Sequence, residues 1–282
     1  MAVIADLHHG HRLGLLMPGT TVWDEGPDGE KVATLLPPNA LQQAIDDSLL
    51  EDLDWLANLA AGRPIYLKVN GDVTQGDKYV REWVTTRKAD QITIAQSTFE
   101  RVLEMPGLAG LDFIIGTDSH EFGEASASIL LVRLLEPRTH IPVGLASHGL
   151  VTVNGVVFDI AHHGPPPGAR RWLEGNGLRW YANDIQQREL DLGRRPPDWV
   201  IRSHYHTLAA SASHYRKATK LHETQARLTP GYTGMDAYGR QATRSKYEVH
   251  IGLLAWEINE NGAVKPHEKF RILDTRRKEI IR

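Results

Sequence analysis

The sequence predicts an α/β fold. Short apolar runs indicate buried strands, and stretches with apolar residues every three or four positions indicate helices between them. Motifs rich in Asp and His directly follow the predicted strands. Because ligand sites in open α/β sheets lie outside the carboxyl ends of the strands, this arrangement predicts one functional site at one edge of a sheet.

The first half of the chain contains three predicted strands, each followed by polar residues. Residues 2–5 form an apolar run that ends in Asp6, residues 65–69 run into Asn70-Gly71-Asp72, and residues 111–115 end at Gly116. Residues 18–38 are rich in Gly, Pro and acidic residues, so we expect a loop there.

Three helices are predicted in the same half. Asn39 can cap the first helix and Gly62 can end it. Its apolar positions recur at helical spacing and are Leu41, Ile45, Leu49, Leu53 and Leu56. The second helix is expected over roughly 77–104, with inward-facing Val80, Val84, Ile92, Phe99 and Val102. The third begins near Glu121 and includes residues 129–135.

The second half contains the clearest local signal, a β-hairpin. Strands at 151–153 and 156–160 flank Asn154-Gly155, the dipeptide preferred in two-residue hairpin turns. The second of these strands leads to His162-His163-Gly164. Residues 168–192 are predicted to be helical, with a break at Gly175 or Gly177, and residues 199–202 form a strand that ends at Ser203-His204-Tyr205-His206. A late strand is expected over 248–258.

Composition excludes several classes of protein. The 282 residues carry 32 basic and 35 acidic side chains, a net charge of −3, which argues against a generally polycationic nucleic-acid binder but not against a local basic groove. Without cysteine the chain has no disulfide, thiolate zinc site or Cys nucleophile. No signal-peptide pattern and no apolar run of 18 residues is found, so we expect a soluble, cytoplasmic protein without membrane contact.

The strand-end motifs combine carboxylates with imidazoles at metal-ligand spacing. Asp6-Leu7-His8 and His204-Tyr205-His206 each place two ligands at i and i+2, on one side of extended backbone. Oxygen and imidazole donors without thiolate suit Mn, Fe, Zn, Co or Ni. The candidate ligands are Asp6, His8, Asp72, His162, His204 and His206, with Asp118 as a further one.

These candidates are more numerous than the four or fewer protein ligands of a mononuclear site. The surplus predicts two divalent metal ions, about 3.5–4 Å apart and bridged by a carboxylate and a water. Such a pair acidifies the bridging water and holds both oxygens of an in-line displacement, which suits phosphoester hydrolysis.

The order of the motifs resembles that of the calcineurin-like metallophosphoesterase superfamily. The matches span residues 1–207 and are Asp6-Leu7-His8, Gly71-Asp72 with Gly76, Gly116-Thr117-Asp118-Ser119-His120-Glu121, His162 or His163, and Ser203-His204-Tyr205-His206. The resemblance implies a four-layer αββα sandwich with its site at one edge of two facing sheets. It also implies a single domain over 1–282, in which residues 208–282 supply a basic, Tyr-containing segment and closing strands.

The resemblance assigns a role to each matching residue. Asp6, His8 and His206 would bind the first metal, and Asp72 would bridge the two. His204 would bind the second metal with His162 or His163, of which we favour His162. In the implied mechanism a metal-bridging hydroxide attacks phosphorus, and His120, oriented by Asp118 or Glu121, protonates the leaving oxygen. His163, His9 and Tyr205 are expected to contact the substrate, with a packed or solvated role as the alternative for His9.

One motif departs from the family pattern. The family usually has Gly-Asn-His, with the Asn as a ligand of the second metal, whereas this chain has Gly116-Thr117-Asp118-Ser119-His120. Asp118, Ser119 or a water could supply the missing oxygen, and a helix N-cap is the alternative role for Asp118. A Gly-Thr-acid-x-His variant resembles a group found in phage and prophage genomes.

We therefore expect a phosphoester hydrolase with two divalent metals, Mn first and Fe, Zn, Ni, Co or Mg as alternatives. Seven basic residues and four tyrosines in residues 211–250 favour an extended anionic substrate such as DNA or RNA, hence a phosphodiesterase or nuclease. The alternatives are a phosphomonoesterase acting on a small molecule or phosphoprotein, and a weakly active, metal-stabilised binding module. The seven tryptophans are scattered, and packing explains them better than a base-stacking platform. The oligomeric state is left open.

Overall fold

The computed structural model describes residues 1–78, 80–168, 170–242 and 246–276. The strands are β1 (Ala2–Ile4), β2 (Thr21–Glu25), β3 (Lys31–Leu35), β4 (Ile65–Asn70), β5 (Leu108–Ile114), β6 (Val143–Ala146), β7 (Gly149–Val153), β8 (Val156–Ile160), β9 (Trp199–Arg202), β10 (Ala209–Lys217), β11 (Lys220–Leu228), β12 (Glu248–Ile258) and β13 (Val264–Asp274). The α-helices are α1 (Ala40–Ala60), α2 (Lys88–Leu103), α3 (Ser126–Leu135), α4 (Asn176–Asp191) and α5 (Ala237–Ala242).

Two mixed sheets form the centre of the molecule. The larger has the order β13-β12-β1-β4-β5-β6, and the smaller has the order β10-β11-β9-β8-β7. In the larger sheet β1, β4, β5 and β6 are parallel, whereas in the smaller sheet β8, β9 and β11 are parallel. The remaining pairs, including β12 with β1 and β7 with β8, are antiparallel.

The two sheets pack face to face through one apolar cluster. Val3 of β1 and Trp256 of β12 contribute from the larger sheet, and Phe158 of β8 and Trp199 of β9 contribute from the smaller. The indole of Trp256 lies edge-on to both Phe158 and Trp199, with 5.4 Å between ring centroids in each pair. Because both faces of these strands are buried, their sequences are almost continuously apolar.

Helices cover the two outer faces. α1, α2 and α3 pack on the larger sheet through side chains such as Leu49, Phe99 and Leu131, and α4 packs on the smaller sheet through Leu178 and Ala182. The result is four layers, helix, sheet, sheet and helix, so the predicted α/β sandwich is confirmed. In the part of the chain that the structure describes, no helix is long and apolar enough to cross a membrane.

Several local predictions are confirmed. The side-chain oxygen of Asn39 accepts hydrogen bonds from the backbone N–H groups of Leu41 (2.9 Å) and Gln42 (3.0 Å), which caps α1. Asn154 and Gly155 both have positive φ, 47° and 81°, as a two-residue hairpin turn between β7 and β8 requires. Residues 208–276 add β10 and β11 to the smaller sheet and β12 and β13 to the larger one.

Two predictions were wrong in the first third of the chain. Residues 18–38 contain the β2–β3 hairpin, because the Gly, Pro and acidic residues mark only its turn at 26–30. The helix expected from residue 77 begins only at Lys88. The β-branched run after Trp83 disfavours a helix, and the backbone there pairs instead with the segment after β1, Val84 N–H donating to Gly10 C=O at 2.7 Å.

One further helix starts later than expected, and another is interrupted where predicted. The chain from Phe122 to Ala125 has positive φ throughout, so α3 starts at Ser126 and not near Glu121. The Glu121 carboxylate accepts hydrogen bonds from the backbone N–H and hydroxyl of Ser128, which fixes the start of α3 to the preceding loop. The break predicted at Gly175 is confirmed, because Gly175 has φ 79° and separates a 3₁₀ turn at Arg171–Leu173 from α4, which starts at Asn176 and includes Gly177.

Candidate metal centre

The predicted ligands come together where parallel strands end. Asp6 and His8 follow β1, and Asp72 follows β4 in the same sheet. His162 follows β8, while His204 and His206 follow β9 in the facing sheet. Backbone hydrogen bonds continue past the strand ends and set the register, from Asp6 N–H to Gly71 C=O (3.1 Å) in one sheet and from Ser203 N–H to His162 C=O (2.8 Å) in the other.

Five of these residues have a left-handed backbone, so the extended backbone expected for the Asp-x-His and His-x-His motifs was wrong. The φ angles are positive at Asp6 (53°), His8 (48°), Asp72 (50°), His204 (77°) and His206 (47°). This conformation is uncommon outside glycine, and such strain is found at functional sites, where the surrounding structure enforces it. The turned backbone directs consecutive polar groups towards one point beyond the strand ends.

Two glycines, Gly71 and Gly116, allow the loop that carries Asp72 to approach the neighbouring loops closely. A Cβ on Gly71 would overlap Nδ1 of His162, and a Cβ on Gly116 would overlap the backbone nitrogen and Oδ1 of Asp72. Gly71 also has φ 85°. Any side chain at either position would separate the Asp72 carboxylate from the loop that ends in His120.

The Oδ2 atom of Asp72 is surrounded by imidazoles from both sheets. Nε2 of His162 lies 3.1 Å away, Nδ1 of His204 3.7 Å, and Nε2 of His8 and of His120 3.9 Å each. Asp72 is buried, and its other oxygen accepts the backbone N–H of Thr117 at 2.6 Å. One carboxylate oxygen therefore lies within reach of two separate sets of nitrogen ligands.

A second set of ligands adjoins it. Nε2 of His206 lies 3.4 Å from Oδ1 of Asp6 and 3.3 Å from Nε2 of His8. Oδ2 of Asp6 accepts the backbone N–H of His204 at 3.3 Å, so one carboxylate contacts both ends of the His-x-His motif.

The donor set could hold divalent cations. Within the described residues, ligand atoms lie within 4.8 Å of one another in Asp6–His8–His206, Asp6–Asp72–His162, His8–Asp72–His120 and His162–His163–His204. Across that same part of the chain, Oδ1 of Asp6 and Nε2 of His162 are buried, and their close polar neighbours are other members of the cluster, His206 at 3.4 Å and Asp72 at 3.1 Å respectively. Buried polar atoms are normally satisfied, and a cation held between these ligands would satisfy both atoms.

The ring orientations also suit metal binding. Nδ1 of His162 donates to the Asn70 carbonyl at 2.7 Å, and Nδ1 of His8 lies 3.1 Å from the Gln75 side-chain oxygen. With the proton held at Nδ1, the Nε2 lone pair of each ring faces the other ligands. Such outer hydrogen bonds orient histidine ligands and make them more basic.

The buried residues of the cluster have strongly shifted pKa values. Burial lowers the pKa of His162, but the adjacent Asp72 carboxylate outweighs it and raises that pKa to about 9. Burial would raise the pKa of Asp72, and the His162 and His120 imidazoles instead hold it well below its usual value. Burial, with the nearby His120, keeps the pKa of His8 well below its usual value.

His120 faces the same centre, but its orienting partner is not the one predicted. Its Nδ1 lies 2.6 Å from the backbone carbonyl of Gln75, so Nε2 points towards Asp72. Glu121 holds the loop instead, accepting the Gly116 N–H at 3.1 Å. Asp118 is exposed, so neither acid orients the His120 ring.

Thr117 is the residue at this motif that sequence reasoning missed. Its hydroxyl lies 3.3 Å from Oδ2 of Asp72 and 3.3 Å from Nδ1 of His204. Asp118 belongs to none of the metal-compatible groups found among the described residues, and it lies in the turn before α3 without capping that helix. Within this motif, the side-chain oxygen that contacts His204 is therefore that of Thr117.

The three predicted substrate contacts have different environments. His163 is exposed, and its ring lies beside His204 with 5.0 Å between centroids. The Tyr205 hydroxyl donates to the Gly164 carbonyl at 3.2 Å and its ring lies edge-on to His204. His9 is fully buried, with its nitrogens 2.8 Å from the Val73 carbonyl and 3.0 Å from the Thr98 hydroxyl, so it is a structural residue and not a substrate contact.

Among the described residues, the basic and tyrosine side chains of segment 211–250 do not share one surface. Tyr232 is buried and donates to Asp52 at 2.8 Å, so it cannot stack on a base. Arg227 pairs with Glu268 at 2.8 Å and packs over Trp199. Arg216 and Lys220 are exposed on β10 and β11, and Arg244 lies outside the described residues.

Comparisons with known proteins were made with both the sequence and the structure. No family profile and no curated protein matches the sequence. Among solved structures, Vps29 of Chaetomium thermophilum matches with a TM-score of 0.33 and 10% sequence identity, over 99% of this chain and 96% of that one. At these values the fold assignment rests on the layers and strand order of the chain itself.

Proposed function

We propose that this protein is a phosphodiesterase that depends on two divalent metal ions. The observation that carries the proposal is the position of Asp72 Oδ2, a buried carboxylate oxygen with imidazole nitrogens from both sheets at 3.1–3.9 Å. A carboxylate shared by two ligand sets is the arrangement by which two-metal hydrolases hold their ions.

The residues divide into two sets around this oxygen. Asp6, His8 and His206 would hold one ion, His162 and His204 the other, and Asp72 would contact both. When bound, the pair would supply a water of lowered pKa as nucleophile and offset charge on the phosphoryl oxygens. The left-handed backbone at Asp6 and at the His-x-His motif keeps these side chains in place before substrate binds.

His120 is the proposed general acid. Its Nδ1 proton is held by the Gln75 carbonyl, and its Nε2 faces the centre from a side chain that is 14% exposed. A protonated ring there can donate from Nε2 to the departing oxygen. The edge-on contact with His8, at 4.5 Å between centroids, fixes the ring plane.

A diester is favoured over a monoester because one side of the centre is open. The His204 side chain is 37% exposed and His163 beside it is exposed, so a substrate can extend past the ligands in that direction. The Gly116–His120 motif supports the narrower resemblance to a phage and prophage group. The mixed carboxylate and imidazole donors are compatible with Mn, which we propose first, and with Fe, Zn, Co or Ni. DNA or RNA is the proposed natural diester.

The test compares two chromogenic substrates, bis(p-nitrophenyl) phosphate and p-nitrophenyl phosphate. Metal-free protein is reloaded with Mn, Ni, Zn or Mg, and metal content is measured alongside activity. We expect diester turnover in the wild type, loss of both metal and turnover in Asp72→Ala and His206→Ala, and loss of turnover with retained metal in His120→Ala. His140→Ala, at an exposed histidine distant in sequence from the motifs, is the matched control and should behave as wild type.

Each other result has a defined meaning. Turnover of the monoester alone would replace the proposal with a phosphatase. Binding of two metals without any turnover would indicate the metal-stabilised binding module. Full metal-dependent activity in Asp72→Ala would show that the ligand assignment is wrong.

A further inference from the structure

The loop that follows His162 and His163 connects the candidate metal centre to α4. Residues 164–175 connect β8 to α4, and α4 then leads back to β9, which is parallel to β8. In such a crossover the helix starts at the edge where the first strand ends. The loop and the first turns of α4 therefore border the candidate metal centre.

This loop is held against the smaller sheet. The Gly164 carbonyl accepts the Tyr205 hydroxyl at 3.2 Å, and the Gly175 N–H donates to the Pro167 carbonyl at 2.9 Å. A Cβ on Gly175 would lie only 2.8 Å from the Ala210 carbonyl at the start of β10. These contacts hold the two ends of the loop, Gly164 and Gly175, against the strand ends of the smaller sheet.

Two tryptophans on this segment face solvent, contrary to the expectation that packing accounts for the tryptophans. Trp172 is 73% exposed and Trp180 is 66% exposed. Trp180 lies on α4 midway between the buried Leu178 and Ala182, so its side chain projects from the face opposite the sheet. Exposure of this size leaves an indole face free for a ligand.

An arginine side chain lies over the ring of each of these two tryptophans. The guanidinium carbon of Arg170 lies 5.3 Å from the ring centroid of Trp172, and that of Arg179 lies 5.2 Å from the ring centroid of Trp180. Residues 170–180 contain three arginines and one acidic residue, Glu174. Residues 170–180 therefore contain two arginine–tryptophan pairs and have a net positive charge.

We propose that Trp172 and Trp180, with Arg170 and Arg179, form a platform that binds single-stranded nucleic acid beside the metal centre. Every base has a π-face that stacks on indole, and arginine pairs with the adjacent phosphate, so this combination binds a strand without reading its sequence. Duplex DNA keeps its bases stacked internally and offers only phosphates to the arginines. The inference deepens the proposed diesterase function by naming its substrate class.

The test measures binding of a fluorescent oligothymidylate with phosphorothioate linkages, which resist hydrolysis, to the full metal-loaded chain by anisotropy. We expect Trp172→Ala and Trp180→Ala each to weaken binding about tenfold or more. Arg170→Gln and Arg179→Gln should each reduce the slope of log affinity against log salt concentration by about 0.7.

Trp23→Ala is the matched control. Trp23 is 52% exposed and has Lys31 over its ring, but it lies on the separate β2–β3 hairpin. Its loss should leave oligothymidylate affinity unchanged. The proposal is overturned if Trp23→Ala weakens binding as much as Trp172→Ala, if duplex binds as tightly as single strand, or if only vesicles of anionic lipid bind.

The binding assay and the hydrolysis assay fail independently. Tryptophan-dependent oligothymidylate binding without hydrolysis of any diester would support the platform and reject the proposed activity. Hydrolysis of bis(p-nitrophenyl) phosphate without oligothymidylate binding would support the activity and overturn the platform.

Discussion

Nε2 of His162 lies 3.1 Å from Oδ2 of Asp72, so the two sheets of the sandwich are joined at their functional edge by an imidazole and a carboxylate. Neither side chain is accessible to solvent. In the absence of a cation a proton on His162 stabilises this pair, and in its presence a metal can replace that proton.

Metal uptake should therefore release protons. Burial lowers the pKa of His162, but the Asp72 carboxylate raises it to about 9, so we expect the metal-free ring to be protonated at pH 7. Because a metal needs the neutral ring, its apparent affinity should rise about tenfold per pH unit up to that pKa and then level off. Calorimetric titration with Mn in two buffers of different ionisation enthalpy measures the protons released. An NMR titration showing a neutral His162 at pH 7 in metal-free protein would contradict the prediction.

The Thr117 hydroxyl should matter for the second metal. Thr117→Val keeps the shape of the side chain and the backbone hydrogen bond to Asp72, but removes the oxygen 3.3 Å from Nδ1 of His204. We expect metal affinity at one of two sites to fall about 10- to 100-fold. Isothermal titration and metal analysis read this without relying on activity. Thr117→Ser retains the oxygen and serves as the control; equal losses in both variants would sink the idea.

Gly71 should tolerate no side chain. Gly71→Ala would bring a Cβ into the His162 ring, whereas Gly19 has a similar φ of 83° with nothing within 4 Å of the same position. Both substitutions therefore cost the same backbone strain. The additional loss of unfolding free energy in Gly71→Ala relative to Gly19→Ala measures the clash with His162. We expect that excess to be about 1–3 kcal/mol in the free energy of unfolding, measured by urea denaturation. Equal costs would show that the loops can separate freely.

Tyr232 should stabilise the fold through its hydroxyl. It donates to Oδ2 of the buried Asp52 at 2.8 Å, and Arg271 of β13 donates to the same carboxylate at 2.9 and 3.0 Å. Tyr232→Phe removes a hydrogen bond to a charged group and should cost about 1.5–3 kcal/mol of unfolding free energy. Tyr66→Phe, at an exposed tyrosine, should change it by less than about 0.5 kcal/mol. Thermal unfolding of both variants decides between a structural role and none.

The strand-end motifs could be predicted because residue type and order alone identify them, as Asp and His residues that directly follow apolar runs. Asp6, Asp72 and His162 each follow an apolar run, and parallel strands bring such positions to one edge. The hairpin at Asn154-Gly155 was predictable for the same reason, since turn geometry restricts residue type. These signals are local, and the fold turns them into one site.

Contacts made through the backbone or through a facing loop had no such signal. The orienting group for His120 is the carbonyl of Gln75, which any residue there would supply. Thr117 reaches His204 only because the two sheets face each other. His9 resembles a ligand in sequence, but its direction is set by hydrogen bonds to Val73 and Thr98.

Exposure was equally hard to predict. Trp172 and Trp180 stand on a loop and on the outer face of a helix, whereas Trp199 and Trp256 lie between the sheets. Composition treats the four alike. Only the strand pairing and the orientation of the helix distinguish the buried tryptophans from the exposed ones.

The position of β1 has a consequence for synthesis of the chain. β1 lies between β4 and β12, with Ala2 opposite Leu67 on one side and Ala255 on the other. At typical elongation rates, on the order of ten to fifty seconds separate the appearance of these first and last partners on the ribosome. His204 and His206 are also made late. Until then Asp6 and His8 have an incomplete sheet beside them, so the candidate site can be completed only after β9 and β12 have emerged.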